Sequence, residues 1–531
     1  MFRRYRYVCL CLSILLTVFL TIPAHAAERI YLNYGPLGRS FTVTELETFA
    51  ETGKLDGTLK FLLSRFSPER RSQIQAALLS PFPVEAVMFD RFAYTSSGER
   101  LLQELGEIIQ SPSRQNGMRG LRSAMTLAAS QGRVSILSLL RRFPTDIRID
   151  VRRLLGLVQR FSSILADTQT TVAQLNQQTQ QAAPKTSSNY ELDLRKPGNL
   201  AYQKQELTFY DAERDRAFAA DFYLPEYESV IPTAIPVIVM SNGLGAGRDR
   251  FDEIAPHLAS YGFAVVAPDH PGSDRQRLRE FYAGLHRENF DASEYLDRPK
   301  DITFVLNELE QRNPTEWGNR LDLQRVGIFG YSFGGSTALS LAGAEIDFDY
   351  LEKDCQTETG LVNISLLYQC RALELPRETV SLKDDRIRAA FVFVPFGKSL
   401  FGERGMSKAN IPIFWEVTDL DVLTPLAVEQ LPAFAALTTP DKYFAVTQGL
   451  PHARVTYDAL GKLSGSTAPW ETLKAIAHDY QNALSTAFFK TYVAQESQYT
   501  TYLQPDYAVT LSQEPYYLSL VQTLAPSSSN N

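Results

Sequence analysis

The 531-residue sequence predicts an α/β protein, a mostly parallel sheet flanked by helices, preceded by a small all-helical module. Three observations predict it. Amphipathic helical stripes fill residues 27–165. A Gln-, Thr- and Ser-rich stretch, 166–189, reads as a polar linker, with a fraying extension of the preceding helix as the alternative. From Tyr190 onward, short apolar runs alternate with amphipathic helical stretches. Runs such as "PVIVMSN", "FAVVAPDHP", "RVGIFGYS" and "IRAAFVFVP" are apolar on both faces. Strands of a parallel sheet covered by helices have that character.

Taken in order, the first element is a leader. "MFRRYRY" is basic, "VCLCLSILLTVFLTI" is apolar but short for a membrane span, and Ala24 and Ala26 form an A-x-A site. Residues 1–26 are therefore expected to be a cleaved signal peptide, directing the chain to the periplasm or outside the cell. The alternative is an uncleaved membrane anchor. In the helical module, "LDGTLKFLLSRF" sets Leu55, Leu59, Leu62, Leu63 and Phe66 on one stripe. Thr44 with Glu47 fits a capping box ahead of it, and Pro81, Pro83, Pro112 and Pro144 separate further helices. The module contains no histidine and no nucleophile motif. It is read as a lid or as a docking surface for a membrane or protein partner.

Residues 190–493 form the expected catalytic domain, interrupted by an insertion at 345–385, and 494–531 is read as a tail. Cys355 and Cys370 lie in the insertion, and they are the two cysteines left after removal of the leader. In an exported chain they are expected to form a disulfide. Two cysteines without neighbouring histidines cannot complete a zinc site, so no metal is expected. The formal charge is −7, with no basic patch of the kind nucleic acid requires.

The chemistry centres on "GIFGYSFGGSTAL". Ser332 stands between a strand and a helix in Gly330-Tyr331-Ser332-Phe333-Gly334, the G-x-S-x-G pattern of a nucleophile elbow. The turn is so tight that glycines must flank it. A serine needs a base, and in this architecture the order is serine, acid, histidine. His452 and His478 are the histidines that follow Ser332. His452 lies in "LPHARV" just past a strand, whereas His478 lies in a helical stretch, so His452 is the expected base. "TDLDVLTP" offers Asp419 and Asp421. Asp421, deeper in the loop and four residues before Pro425, is the expected acid. The oxyanion donors are assigned to the backbone amides of Phe333 and of Leu244 in "SNGLGAG". His270 and Tyr331 are candidate pocket residues; His257 and His286 receive no role. The "GLGAG" run lacks the spacing of a phosphate loop.

With these motifs, residues from about 190 to 490 resemble the α/β-hydrolases. "SNGLGAGRDRFDEIAPHLASYGFAVVAPDHPGS" is similar to the branch of platelet-activating-factor acetylhydrolases and dienelactone hydrolases, which includes polyester hydrolases. That branch has its acid four residues before a proline, as Asp421 stands before Pro425. The resemblance implies Ser332, Asp421 and His452 as triad and Leu244 at the oxyanion site. Tyr331 occupies the slot where the branch often has His or Trp. "AERIYLNYGPLGRSFTVTELETFAETG" resembles a domain of unknown function preceding exported cyanobacterial α/β-hydrolases. The expected activity is hydrolysis of carboxylic esters, soluble or lipid (acetyl-phospholipids among them), without a cofactor. A serine peptidase on the same fold and a non-catalytic interaction protein using the helical module are the alternatives.

Overall fold

The structure is a computed structural model that describes residues 26–81, 85–132, 134–183, 190–227, 234–378, 380–454, 456–457 and 468–524. Residues 1–25 of the expected leader and the last seven residues of the tail lie outside them. The chain divides into two compact units, one made of the residues up to 93 with 102–156, the other of 94–101 with 157 onward.

The smaller unit is not all-helical. Four strands, β1 (Arg29–Tyr34), β2 (Leu37–Thr42), β3 (Ile109–Gln110) and β4 (Ile147–Asp150), form a sheet in the order β2-β1-β4-β3. The β1–β2 hairpin turns at Gly35, whose φ of +58° suits glycine. The capping box that opens helix Val43–Thr52 is Thr42 with Glu45, two residues earlier than the Thr44 and Glu47 pair. Phe41, Phe49, Leu59, Leu121, Phe143 and Ile147 pack in the unit's core. These strands are short and mostly half-exposed, so their alternation is weak beside the helical stripes.

In the larger unit β5 (Tyr202–Asp211), β6 (Arg216–Pro225), β7 (Ile235–Ser241), β8 (Ala264–Pro268), β9 (Leu321–Tyr331), β10 (Ile387–Phe393), β11 (Ile413–Thr418), β12 (Lys442–Thr447) and β13 (Leu518–Val521) form one sheet. Its order is β13-β12-β11-β10-β9-β7-β8-β6-β5. The six strands β7 to β12 run parallel, and the pairings β5–β6, β6–β8 and β12–β13 toward the edges are antiparallel. Helices cover both faces, giving one apolar layer around Val237, Ile302 and Trp415 and another around Phe329, Phe391 and Phe488. Phe329, Phe391, Phe414 and Tyr443 are register partners on β9 to β12. Their rings stack at 5.0, 4.7 and 5.7 Å. This cross-strand ladder pins the register of the strands whose C-terminal ends carry the candidate site.

Two expectations are corrected. Residues 166–182 are not a linker but the second half of helix Val151–Ala182. Thr168, Val172, Leu175 and Thr179 recur at helical spacing and are buried, and Thr179 Oγ1 accepts from the Leu520 N–H at 3.0 Å. The polar composition belongs to the outer face of that helix. Residues 494–524 are not a bare tail, since the short run Leu518–Val521 completes the sheet edge. Inside the insertion, helices Phe348–Thr357 and Ile364–Gln369 are joined by a Cys355–Cys370 disulfide. That bond suggests an oxidising, exported environment. Among the described residues no helix is long and apolar enough to cross a membrane.

Candidate active site

Ser332 sits between β9 and helix Phe333–Leu341 with φ +54° and ψ −114°, a strained conformation for a non-glycine residue. The glycines around it are sterically required. A Cβ on Gly330 would stand 2.3 Å from Gly334 O, one on Gly334 1.8 Å from Ser241 O, and one on Gly335 2.6 Å from Pro395 Cβ. The elbow is thus wedged between the ends of β7 and β10.

Three loops bring the expected residues together. His452, beyond β12, has Nε2 3.1 Å from Ser332 Oγ, and its Nδ1 lies 2.6 Å from Asp421 Oδ2. Asp421, beyond β11, also accepts from the N–H groups of Leu423 and Thr424 at 2.8 and 2.9 Å and from Thr424 Oγ1 at 2.5 Å. Burial opposes its charge, but His452 and the Thr424 donors outweigh it and hold the carboxyl below its ordinary value. Asp419 serves elsewhere: it accepts the Gly449 N–H at 2.7 Å, and burial pushes it up to about 6.

The Phe333 N–H is the first of its helix and has no intrahelical acceptor. Leu244 is the second residue of a turn closed from Ala246 N–H to Gly243 O at 3.2 Å, with Gly245 at φ +71°. A left-handed residue in that third position is what a type II turn needs. A Cβ on Gly243 would lie 3.3 Å from Ser332 Cβ, so this loop rests directly on the Ser332 turn.

Residues 236–347 match the family model of the alpha/beta hydrolase fold. The chain has an α/β-hydrolase fold. Residues 26–150 match a second model, described as an alpha/beta hydrolase of unknown function. No curated protein matches the chain. The fold suggests a hydrolase.

Two cavities meet at His452, Leu244, Tyr331 and Ala453. One, of about 180 Å³, contains Ser332 and is walled by Phe290, Phe333, Tyr368, Phe396 and Leu423. The other, of about 370 Å³, lies past the imidazole. Tyr331 lines both and donates its hydroxyl to His452 O at 3.1 Å. His478 lines the second, paired through Nδ1 with Glu253, and does not reach Ser332's cavity.

His270 is not a pocket residue. It is fully buried, with Nε2 3.0 Å from Ser241 Oγ and Nδ1 3.1 Å from Asp301 Oδ2. Burial and the nearby Arg298 push its pKa down to about 4. His257 is buried in a helix, and His286 pairs with Glu280 at 3.1 Å.

Sequence reasoning missed Arg298. Its guanidinium is fully buried. It donates to Asn242 O at 2.6 Å and to Ser273 Oγ at 2.7 Å, and lies 4.3 Å from the centre of the Phe333 ring. One cation therefore touches both segments assigned as oxyanion donors. Burial pushes its pKa down to about 10, against Glu294 and Asp301, which favour its charge. The signal was present: Glu294, Arg298 and Asp301 fall at i, i+4 and i+7, the stripe a helix buries. Charges there indicate a paired internal cluster.

Proposed function

We propose that the chain is a serine hydrolase that cleaves carboxylic esters through an acyl-enzyme. The observation that carries this reading is the hydrogen-bonded series Ser332–His452–Asp421, at 3.1 and 2.6 Å, ending on a strained elbow at the mouth of an apolar cavity. Asp421, ionised, orients Nδ1–H and leaves Nε2 to accept the Ser332 proton. Ser332 Oγ attacks the ester carbonyl, and the tetrahedral oxyanion takes hydrogen bonds from the Phe333 and Leu244 amides. The carbon–oxygen bond to the alcohol breaks as the imidazolium returns its proton to that oxygen. Water, deprotonated by His452, then attacks the acyl carbon; the bond from that carbon to Ser332 Oγ breaks, and the imidazolium returns the proton to Oγ as the acid leaves.

The aromatic walls of the smaller cavity favour a short apolar acyl group. This agrees with the resemblance to the platelet-activating-factor acetylhydrolase and dienelactone-hydrolase branch. The leader and the disulfide support export with cleavage after Ala26.

The test is labelling by a fluorophosphonate together with a p-nitrophenyl ester series from acetyl to palmitoyl. Wild type is expected to label, with turnover falling as the acyl chain outgrows the cavity, while Ser332→Ala loses both. An unlabelled wild type would leave the non-catalytic reading standing. Turnover of peptide amides in preference to esters would favour a peptidase.

A further inference from the structure

We infer that the larger cavity is a subsite for an oxyanion, a carboxylate or phosphate, carried on the alcohol part of the ester. The inference rests on the serine-esterase reading and adds a substrate class to it.

The chain as a whole is acidic, with 60 Asp and Glu against 53 Lys and Arg. The cavity wall reverses that balance. Arg250, Arg454 and Lys474 line it, and no carboxylate does among the described residues. Glu253, outside the wall, pairs with Lys474 and His478. Arg250 is the distinctive group. Neighbouring cations are saturated with carboxylates: Arg248 has Glu206, Asp221 and Asp269, and Arg275 has Asp249. Arg250 forms no ion pair among the described residues, and its guanidinium lies over the Tyr331 ring at 4.8 Å. A planar fork laid on an aromatic face is preorganised for bidentate binding of a carboxylate or phosphate.

The position of the cavity says which half of the ester it receives. The acyl group bonded to Ser332 lies in the cavity that contains Ser332 and Phe333, which is apolar. The leaving oxygen must take its proton from His452, and the Arg250 cavity contains His452 without Ser332. Trp470 on that wall offers a face for a planar or alkyl alcohol. The apolar and cationic cavities therefore sort the two halves of one substrate.

The experiment compares three acetates of matched shape on the full-length protein. These are neutral 4-acetoxybenzamide, 4-acetoxybenzoate for the carboxylate, and 4-acetoxyphenyl phosphate for the phosphate. Wild type is expected to prefer one or both anionic esters about tenfold in kcat/KM, mainly through KM, and to lose that preference as salt screens it. Arg250→Gln should lower the anionic-to-neutral ratio about tenfold, Lys474→Gln should lower it less, and Arg250→Lys should restore part of it. Equal turnover of all three by wild type, or a ratio untouched by both Gln variants, overturns the subsite and leaves the esterase reading intact. No turnover of any acetate and no fluorophosphonate labelling overturns both.

Discussion

The molecule contains two Ser–His–Asp series. In one, Ser332, His452 and Asp421 are linked at 3.1 and 2.6 Å; in the other, Ser241, His270 and Asp301 are linked at 3.0 and 3.1 Å. By distance alone they are nearly equivalent. Ser332 occupies a strained turn on a cavity with two backbone amides beside it. Ser241 is an ordinary strand residue, and all of its series is buried. Asp421 serves one imidazole and backbone donors, whereas Asp301 is shared with Arg214 and Arg216 at 2.8 Å each. A hydrogen-bonded series becomes a candidate catalyst through access, strain and oxyanion donors. Without them it is a buried polar cluster that holds strand ends together.

The sharpest way to break the comparison is to remove the acid from each series. Asp421→Asn should lower kcat by about 10³–10⁴, because the amide favours the wrong imidazole tautomer. Ester kinetics on purified protein would check this. Asp301→Asn should act on stability instead, since its loss leaves Arg214 and Arg216 short of a partner in a buried site; about 3 kcal/mol is the scale. A comparable loss of kcat in both variants at full fold would erase the distinction.

A middle effect tests how the two series are connected. Arg298 holds Asn242 O and Ser273, beside Ser241 on one side and the Leu244 turn on the other. Arg298→Lys keeps the charge but loses the fork, so the Leu244 amide should drift from the oxyanion. The expected loss is about 10–100-fold in kcat with a smaller change in KM, below the full removal of one donor. A structural role alone would lower the melting temperature and leave the kcat of the folded fraction unchanged.

The same contrast separates what was legible in the sequence from what was not. Ser332 could be read because glycine spacing around an elbow is a local steric demand, and its clashes are backbone to backbone. The apolar strands were legible because both their faces are buried. Arg298 and His270 were not, since charged residues on a helix and a histidine in a loop usually mean surface, and only tertiary packing reveals that these are internal. The helix to Ala182 hid for a related reason: its buried face uses Thr168 and Thr179 as well as Val172 and Leu175, so composition suggested a linker. The small sheet and β13 escaped because strands of two to six residues carry little periodic signal.

The smallest expected effect on activity lies in the sealed series and appears as a pH dependence of stability. His270 has its pKa pushed down to about 4 in the fold, from 6.5, first by burial and then by Arg298. Between those values the unfolded chain binds a proton that the folded protein refuses. Stability from this group is therefore complete above about pH 6.5 and is lost as pH falls toward 4, a slope worth on the order of 3 kcal/mol at most. His257, also pushed down to about 4 by burial, adds a parallel slope, so the informative quantity is a difference between variants. Asp301, held below its ordinary value, contributes only beneath this window. His270→Gln retains a hydrogen-bonding side chain but cannot take the proton. Its melting temperature should fall less steeply than wild type from pH 6.5 to 4, whatever its starting level, with ester kcat/KM at pH 8 changed by less than about threefold. If the two melting curves run parallel through that range, His270 is already protonated in the fold, and the second series is not the neutral, sealed cluster that distinguishes it from the first.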